Sequence, residues 1–176
     1  MLKINKDSNI TKCFFNSNDD PVKEIIEYIL NAKNEIYLMH FWFSWKPIAD
    51  ALIDAHSKGV KINILTDQRS LVKYMQDDEK TFSLSVPEYL FNNGIKRIAI
   101  YFNEHLMHHK VIILDEVIIL GSLNLFKQSI YQNNENIIII KNQSICKSYI
   151  PEFELIFKNS LELSAAMKVI KNVHRN

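Results

Sequence analysis

The sequence predicts an α/β protein in which a mixed central sheet is flanked by helices. Short runs of β-branched and aromatic residues alternate along the chain with helical patterns of about ten or more residues, which favours a layered α/β sandwich. Two late apolar runs are separated only by Asp115-Glu116, a spacing that predicts a hairpin. The sheet is therefore expected to be mixed rather than purely parallel. No linker-like segment or internal repeat divides the chain, so one domain is expected over 1–176.

Helix-boundary signals organise the first half of the chain. Asp20 followed by Pro21 predicts an N-cap and first helical turn, and Gly59 predicts a helix end. The intervening apolar runs have the residue types of strands. In order, the predicted elements are a strand at 10–15, a helix from Asp20 to about Ala32, a strand at 35–43, a helix from Pro47 to Gly59, a strand at 60–66, and a polar loop with a helical turn at 68–84.

The second half begins with a capping box. Ser85 and Glu88 have the spacing of this motif and predict a helix that ends at Gly94. The run at 136–141 contains four consecutive isoleucines, so this strand is expected to be buried on both faces. The remaining predicted elements are a strand at 95–102, hairpin strands at 109–114 and 117–120, and helical structure from about 144, including a helix at about 160–173 that covers the core or a dimer interface.

The composition is that of an ordinary globular protein, with 47% hydrophobic and 23% charged residues. A protein that grips long stretches of nucleic acid through its overall field is usually more basic than the net charge of +1 found here, so any polyanion site must be local. Cys13 and Cys146 are far apart without metal-ligand spacing, which argues against a disulfide framework. The first nine residues are too polar for a signal-peptide core, and no apolar run approaches the ~18 residues of a membrane span. A cytoplasmic protein without stable membrane association is expected.

Four polar residues at the ends of the predicted hairpin strands carry the chemical information. Because side chains alternate along a strand, His108 and Lys110 point to one side, and Ser122 and Asn124 likewise share a face. If the hairpin aligns these pairs, an imidazole, an ammonium, a hydroxyl and a carboxamide converge. Such groups suit a phosphodiester, because they supply donors for the non-bridging oxygens and a nucleophile or acid near phosphorus.

The spacing of these residues resembles the signature of the phospholipase D superfamily, H-x-K-x4-D followed by G-S-x-N and a later N-x-E-N. The resemblance covers about residues 20–158 and implies the α/β/α sandwich of that family. The matching positions are His108, Lys110, Asp115, Gly121, Ser122, Asn124, Asn133, Glu135 and Asn136, preceded by a similar segment from Phe43-Ser44 to Asp67.

The resemblance implies roles for the matched residues. His108 is similar to the nucleophile that forms a covalent phosphohistidine, or to the acid that protonates the leaving oxygen. Lys110 and Asn124 resemble the phosphate-binding pair, with Ser122 supporting them, and Glu135 resembles the carboxylate that orients and polarises the histidine. No metal or other cofactor is expected, because lysine and amide donors neutralise the charge directly and no Asp, Glu, His or Cys cluster has ligand spacing.

Asp115 resembles the aspartate of the family motif, whose implied role is structural, holding the turn. Five residues separate it from the following glycine, where the family usually has six. Because the strand period is two, a one-residue change reverses which side chains share a face. Placing Lys110 opposite Ser122 and His108 opposite Asn124 therefore requires a turn with an odd number of residues or a bulge.

The chain has one such motif, whereas a complete site in the family contains two, so the resemblance implies a homodimer with the two His108 residues facing each other. Small single-motif members are often endonucleases, some of them catalytic modules of restriction or defence systems, which predicts a nuclease acting on DNA or RNA. Two alternatives remain open: a phosphodiesterase acting on phosphatidyl lipids or cardiolipin, and a catalytically silent dimeric scaffold or nucleic-acid-binding module. The intact motif argues against the silent module.

Other residues near the motif carry weaker signals. Trp42, Ser44 and Arg69 are candidates for substrate binding, by base stacking or phosphate contact. For Trp42, packing in the core is the competing interpretation, and for Arg69 a solvated surface. His40 is interpreted as a core histidine, and His109 as a packing or capping residue because it points away from His108.

Overall fold

The computed structural model describes residues 10–72 and 74–173. The elements, in chain order, are β1 (Ile10–Phe15), α1 (Pro21–Asn31), β2 (Glu35–His40), α2 (Lys46–Ser57), β3 (Lys61–Asp67), α3 (Arg69–Val72), α4 (Val86–Asn92), β4 (Ile98–Tyr101), β5 (Lys110–Leu114), β6 (Val117–Gly121), α5 (Lys127–Tyr131), β7 (Asn136–Lys141), α6 (Gln143–Lys158), β8 (Leu161–Glu162) and α7 (Leu163–Val173).

Within this part of the chain, the strands form one eight-stranded sheet in the order β1-β7-β6-β5-β2-β3-β4-β8. The β2, β3 and β4 strands are parallel, and the remaining neighbours are antiparallel. The mixed sheet predicted from the sequence is confirmed. The change from parallel to antiparallel pairing occurs at β2, which lies between β3 and β5.

Helices cover both faces of the sheet. Apolar side chains of α1, α2, α4 and α7 pack on one face in a large core cluster, and α6 covers the other face with Cys146 and Phe153. Helix α7 contributes Leu163 and Ala166 to the larger core, as expected for a covering helix; the side chain of Val173 lies outside the described residues. The α/β/α sandwich is confirmed.

The boundary signals in the sequence act as predicted. The Asp20 carboxylate accepts a hydrogen bond from the backbone N–H of Lys23, which caps α1. The Ser85 N–H donates to Glu88 in the capping box of α4. Gly59 and Gly94 adopt positive φ angles of 94° and 100° just beyond the helices that they end.

Several element predictions were wrong in extent. Strand β2 ends at His40 rather than at 43, because after the Phe41 N–H bonds to the carbonyl of His109 the chain turns from β5 and pairs with Leu125. Strand β4 covers only Ile98–Tyr101, and α2 begins at Lys46, one residue before Pro47. The outer face of β7 is only half-buried, since its isoleucines alternate between full and partial burial. The C-terminal region is not continuously helical, because β8 pairs with β4 between α6 and α7, and α5 was not predicted.

Candidate active site

Four strand ends meet at one edge of the sheet and bring the motif residues together. His40, the last residue of β2, pairs with Lys110, the first residue of β5. Gly121, the last residue of β6, pairs with Ile137 near the start of β7. Segments that are distant in sequence therefore end side by side, and the polar residues that follow or precede them extend beyond the same sheet edge.

Lys110 is not opposite Ser122 in the hairpin, an arrangement for which the sequence required an odd turn or a bulge. The hairpin has a two-residue turn, and its regular ladder pairs Val111 with Leu120 and leaves Lys110 level with Gly121. Neither an odd turn nor a bulge is present between these strands. Ser122 lies beyond β6, where its N–H donates to the carbonyl of Asn136 at 3.1 Å. Its side chain is therefore directed by β7 rather than by alternation along β6.

Gly121 is required by this close approach of β6 and β7. A Cβ atom at this position would lie 2.1 Å from the carbonyl oxygen of Asn136 and 2.8 Å from the Cα of Ile137. Both contacts are with backbone, which cannot rotate away. The glycine of the G-S-x-N motif thus permits the Ser122–Asn136 hydrogen bonds that follow it.

His108 and Lys110 form the centre of the site. The Nζ of Lys110 lies 3.3 Å from Nε2 and 3.4 Å from Nδ1 of His108, and it donates to the His108 carbonyl at 3.0 Å. The imidazole also contacts the Phe41 ring, with centroids 4.5 Å apart. His108 is exposed and Lys110 is half-buried. An imidazole and an ammonium are thereby held together at an accessible surface.

The electrostatics favour a neutral imidazole. Burial lowers the pKa of His108, the neighbouring Lys110 lowers it further, and Asp67 opposes the shift. Burial also lowers the pKa of Lys110, against an opposing attraction from Glu135. A neutral imidazole has a lone pair available for nucleophilic attack.

Glu135 is fixed by a second set of hydrogen bonds. Its carboxylate accepts from the hydroxyls of Ser122 at 2.5 Å and Ser129 at 2.7 Å, and from Nδ2 of Asn133 at 3.1 Å. Burial raises the pKa of Glu135, but these three hydrogen bonds and the charge of Lys110 outweigh it, so the net shift is downward. The carboxylate therefore remains ionised.

The Ser129 hydroxyl links this carboxylate to Asn124. It accepts the N–H of Asn124 at 2.9 Å while donating to Glu135, and it is fully buried. The Oδ1 of Asn124 is buried and has no hydrogen-bond partner among the described residues. Asn124 is thus held through its backbone, and its carboxamide is not committed to a neighbouring side chain through that oxygen.

Sequence reasoning missed both Ser129 and Asn16. The Nδ2 of Asn16 donates to the carbonyls of Ser129 at 3.1 Å and Asn133 at 2.8 Å, and its Oδ1 accepts the N–H of Glu135 at 2.8 Å. Asn16 thereby fixes the loop that carries the carboxylate. It follows β1, more than a hundred residues away in sequence, and only the β1–β7 pairing brings it there.

The predicted contact of Glu135 with the histidine is not made within one chain. In the described residues, the hydrogen bonds of the Glu135 carboxylate come from Ser122, Ser129 and Asn133. Within the chain, Glu135 opposes the lowering of the Lys110 pKa by burial, and Lys110 in turn lowers the pKa of His108.

Asp115 lies at the opposite end of β5 from His108. Its carboxylate accepts the N–H groups of Lys33 at 2.8 Å, Asn34 at 3.0 Å and Glu35 at 3.1 Å. Its backbone has a positive φ of 54°, which the two-residue turn demands. These contacts tie the hairpin to the start of β2, so Asp115 acts on the structure of the turn.

Asp67 and Arg69 flank the site at the end of β3. The buried Asp67 carboxylate pairs with Arg69 at 2.7 Å and accepts the N–H of Met107 at 3.2 Å, just before His108. The Arg69 guanidinium lies 5.6 Å from the Phe41 ring centre, and Lys110 lies 5.3 Å from the same ring. Arg69 therefore adds a second cation beside the His108 pocket.

His40 is buried, as interpreted from the sequence. Burial, and then repulsion by Lys110, lower the pKa of His40 to about 3, despite a hydrogen bond with the backbone of Trp42. Because His40 is neutral, it adds no positive charge next to Lys110. Trp45 is also buried in the core.

Trp42 and Ser44 lie in the wall of a cleft of about 580 Å³ beside the site. The Trp42 ring stacks on Phe126, with centroids 4.4 Å apart and planes inclined by 22°. Ser44 is buried there, whereas Trp42 is half-buried. The three candidate substrate-binding residues therefore lie at two locations. Arg69 lies beside Phe41, and Trp42 and Ser44 line the cleft.

The described residues contain no group of three or more His, Cys, Asp or Glu side chains arranged to hold a metal ion. In the same part of the chain, no helix has the length and apolar character needed to span a membrane.

Comparison with known sequences identifies a family and several relatives. Residues 25–157 match the family described as cardiolipin synthase, PLD-like domain. A phospholipase D of Rickettsia prowazekii (strain Madrid E) is 31% identical over 144 residues, covering 81% of this chain and 65% of the relative. The mitochondrial cardiolipin hydrolase of Xenopus tropicalis is 30% identical, covering 80% and 62%. The chain thus spans somewhat less than two thirds of the length of these relatives.

Solved structures share the fold. Nuc from Salmonella typhimurium, a phospholipase D family member, superposes with a TM-score of 0.74 at 24% identity, over 86% of this chain and 95% of that one. NucT from Helicobacter pylori gives a TM-score of 0.70 at 17% identity, over 86% and 98%.

Proposed function

The chain belongs to the phospholipase D superfamily, and from this premise we propose that it is a phosphodiesterase, and specifically a metal-independent nuclease whose site is shared by two subunits. The observation that carries the proposal is the contact between His108 and Lys110, 3.3 Å apart, beside the aromatic side chains of Phe41 and Trp42. The imidazole and the ammonium suit a phosphate, and the rings suit the bases attached to it.

The first step uses the neutral imidazole. A ring nitrogen of His108 attacks phosphorus, a P–N bond forms, and the bond from phosphorus to the leaving oxygen breaks. Lys110 and the Asn124 amide face the non-bridging oxygens and stabilise the charge that develops there. The leaving oxygen must receive a proton from a second acid on the other side of phosphorus.

A second subunit supplies that acid in the proposed arrangement. His40 lies beside Lys110, but it is buried with a pKa of about 3 and is therefore not a proton donor at neutral pH. His108 of the partner subunit has the same exposure and chemistry as the nucleophile. After it has protonated the leaving group, it accepts a proton from water, which attacks the phosphohistidine and releases the free imidazole and a phosphate monoester.

A phospholipid phosphodiesterase is the second candidate. It is favoured by the similarity to a phospholipase D and a mitochondrial cardiolipin hydrolase. The same atoms would perform the same displacement on a phosphatidyl group, since the attacked phosphodiester is identical in charge and geometry.

The deciding experiment compares substrates in the presence of excess EDTA. The purified chain is incubated with plasmid DNA, single-stranded DNA, RNA and cardiolipin vesicles, and His108→Ala and His109→Ala serve as the matched pair of variants. We expect cleavage of nucleic acid in EDTA by the wild type and by His109→Ala, and none by His108→Ala. Hydrolysis of lipid alone would establish the second candidate, and activity that vanishes in EDTA and returns with magnesium would refute the metal-free mechanism.

A further inference from the structure

The cleft beside Trp42 lies next to the catalytic centre. Phe41, which contacts His108, is followed by Trp42, and Asn124 is followed after one residue by Phe126. The two segments are joined by hydrogen bonds from Leu125 N–H to the Trp42 carbonyl at 3.1 Å and from Ser44 N–H to the Leu125 carbonyl at 2.9 Å. The Trp42–Phe126 stack is therefore a rigid extension of the residues that would hold phosphate.

The chemistry of the cleft is aromatic and amide-rich. Opposite the stacked pair it is lined by Tyr74, whose side chain is 63% exposed, and by Gln76, Gln128 and Gln132. A glutamine side chain both donates and accepts hydrogen bonds, as the edges of nucleobases do. The volume of about 580 Å³ is within the range of small-molecule sites.

The charges of the cleft disfavour a second phosphate. Lys127 is the cation of the lining, and its ammonium already donates to the backbone carbonyl of Asp78 at 2.8 Å. The carboxylates of Asp77 and Asp78 belong to the same loop. An acyl chain is also a poor occupant, because it would leave the amide groups of the lining without partners.

We propose that this cleft is a nucleobase subsite, in which the base of the nucleotide adjoining the scissile phosphate stacks on the Trp42–Phe126 pair and bonds through its edge to the glutamines. The subsite rests on the proposed nuclease function, because its occupant must be attached to the phosphate bound at His108. It names a substrate class, single-stranded or locally unpaired nucleic acid, since a base that remains in a duplex cannot reach a side cleft.

The test is equilibrium binding to the chain of residues 1–176, which does not depend on turnover. Calorimetry with adenosine 5′-monophosphate, cytidine 5′-monophosphate, ribose 5-phosphate and glycerol 3-phosphate separates the base from the phosphate. We expect the nucleotides to bind roughly ten- to a hundredfold more tightly than ribose 5-phosphate, the range expected for stacking one base. Trp42→Leu should abolish this difference while leaving ribose 5-phosphate affinity unchanged.

Amide variants provide a control that does not disturb the stacked rings. Gln128→Ala lies in the cleft and should weaken nucleotide binding several-fold, whereas Gln143→Ala, on α6 outside the cleft, should not. Equal affinity for the nucleotides and ribose 5-phosphate would overturn the subsite, as would preferred binding of glycerol 3-phosphate, which would indicate a lipid headgroup. If Trp42→Leu does not fold, Tyr74→Ala and Gln128→Ala decide the outcome.

The two proposals fail separately. Cleavage of nucleic acid without base-dependent binding would refute the proposed subsite and support the proposed nuclease function. The opposite result is base-dependent binding that is lost in Gln128→Ala, without cleavage of DNA or RNA. It would refute the nuclease function and support a base-binding subsite.

Discussion

The ammonium of Lys110 lies almost equally far from both ring nitrogens of His108, at 3.3 and 3.4 Å. A cation in this position opposes protonation of the imidazole whichever nitrogen carries the proton. Lys110→Met is therefore expected to raise the pKa of His108. The measurement is an NMR titration of the histidine ring signals, assigned by comparison with His108→Ala. A pKa that stays the same or falls in Lys110→Met would show that burial alone sets it.

The pH dependence of kcat/KM follows from the same shift. The nucleophile must be neutral, and the pKa of His108 is lowered from its ordinary value. Activity should therefore persist as the pH falls to about 6.5, the ordinary histidine pKa, and decline only below it. Because two copies of His108 share one cleft, the titrations are coupled, and the acid limb belongs to the pair. An acid limb centred above 6.5 would contradict the expected direction, whereas a decline at higher pH would report loss of the proton from the acid, His108 of the partner subunit.

Substitution of His108 and Asn124 should have unequal effects. Loss of the nucleophile in His108→Ala should abolish turnover, whereas Asn124→Ala removes one electrostatic donor and should reduce kcat about 10²–10³-fold. Circular dichroism should show an intact fold in His108→Ala, because His108 is exposed and precedes the first residue of β5. Retention of a tenth of the wild-type rate by His108→Ala would rule out its assigned role.

Asp115 should affect stability rather than chemistry. Asp115→Ala removes the acceptor of three backbone N–H groups and places alanine at a φ of 54°, so we expect a loss of about 2–4 kcal/mol in unfolding free energy. Asp115→Asn, which tolerates this φ, should lose about 1–2 kcal/mol. These values come from urea denaturation at neutral pH.

The stability difference should also depend on pH. Although burial raises the pKa of Asp115, its backbone hydrogen bonds produce a net lowering. The carboxylate therefore stabilises the fold above its unfolded pKa of about 3.9, and this contribution is lost as the pH falls through the lower folded pKa. The difference in unfolding free energy between the wild type and Asp115→Asn should become smaller below about pH 4. A gap independent of pH would argue that the charge does not contribute.

Subunit mixing tests the shared site. When wild-type protein exchanges subunits with an excess of His108→Ala, each wild-type chain is paired mostly with a partner that lacks the imidazole. We expect activity to fall below that of the same amount of wild-type protein diluted in buffer alone, whereas an equal excess of Gln143→Ala protein should not lower it. A fully active monomer in sedimentation at assay concentration would overturn the two-subunit site.

Local signals in the sequence were sufficient for most of the fold. Asp20-Pro21, Ser85 with Glu88, and the glycines after helices act over three or four residues, and the structure confirms them. Strand ends were less predictable, since β2 stops where Phe41 begins to pair with His109, a tertiary contact. Strand β8 has two residues and exists only because β4 is available beside it.

The site was predictable in its residue types and less so in its connections. The motif spacing identified His108, Lys110, Ser122 and Glu135, which the fold brings to one sheet edge. The assumption that the two pairs face each other failed, because Ser122 leaves β6 to bond with Glu135 and Asn136. Nothing in the motif marked Ser129, which bonds to Asn124 and Glu135 five and six residues away, and nothing local marked Asn16, which reaches Glu135 only through the β1–β7 pairing.

The pairing of β1 with β7 determines when the candidate site can form during translation. During translation at about 5–20 residues per second, β1 emerges on the order of ten seconds before its partner strand. Until then, Glu135 has not been synthesised, and Asn16 lacks the loop of residues 133–135 to which it hydrogen-bonds. A polypeptide released early, before β7, carries His108 and Lys110 without the carboxylate or the clamp that fixes it. The candidate site is therefore complete only after β7 has been synthesised and has paired with β1.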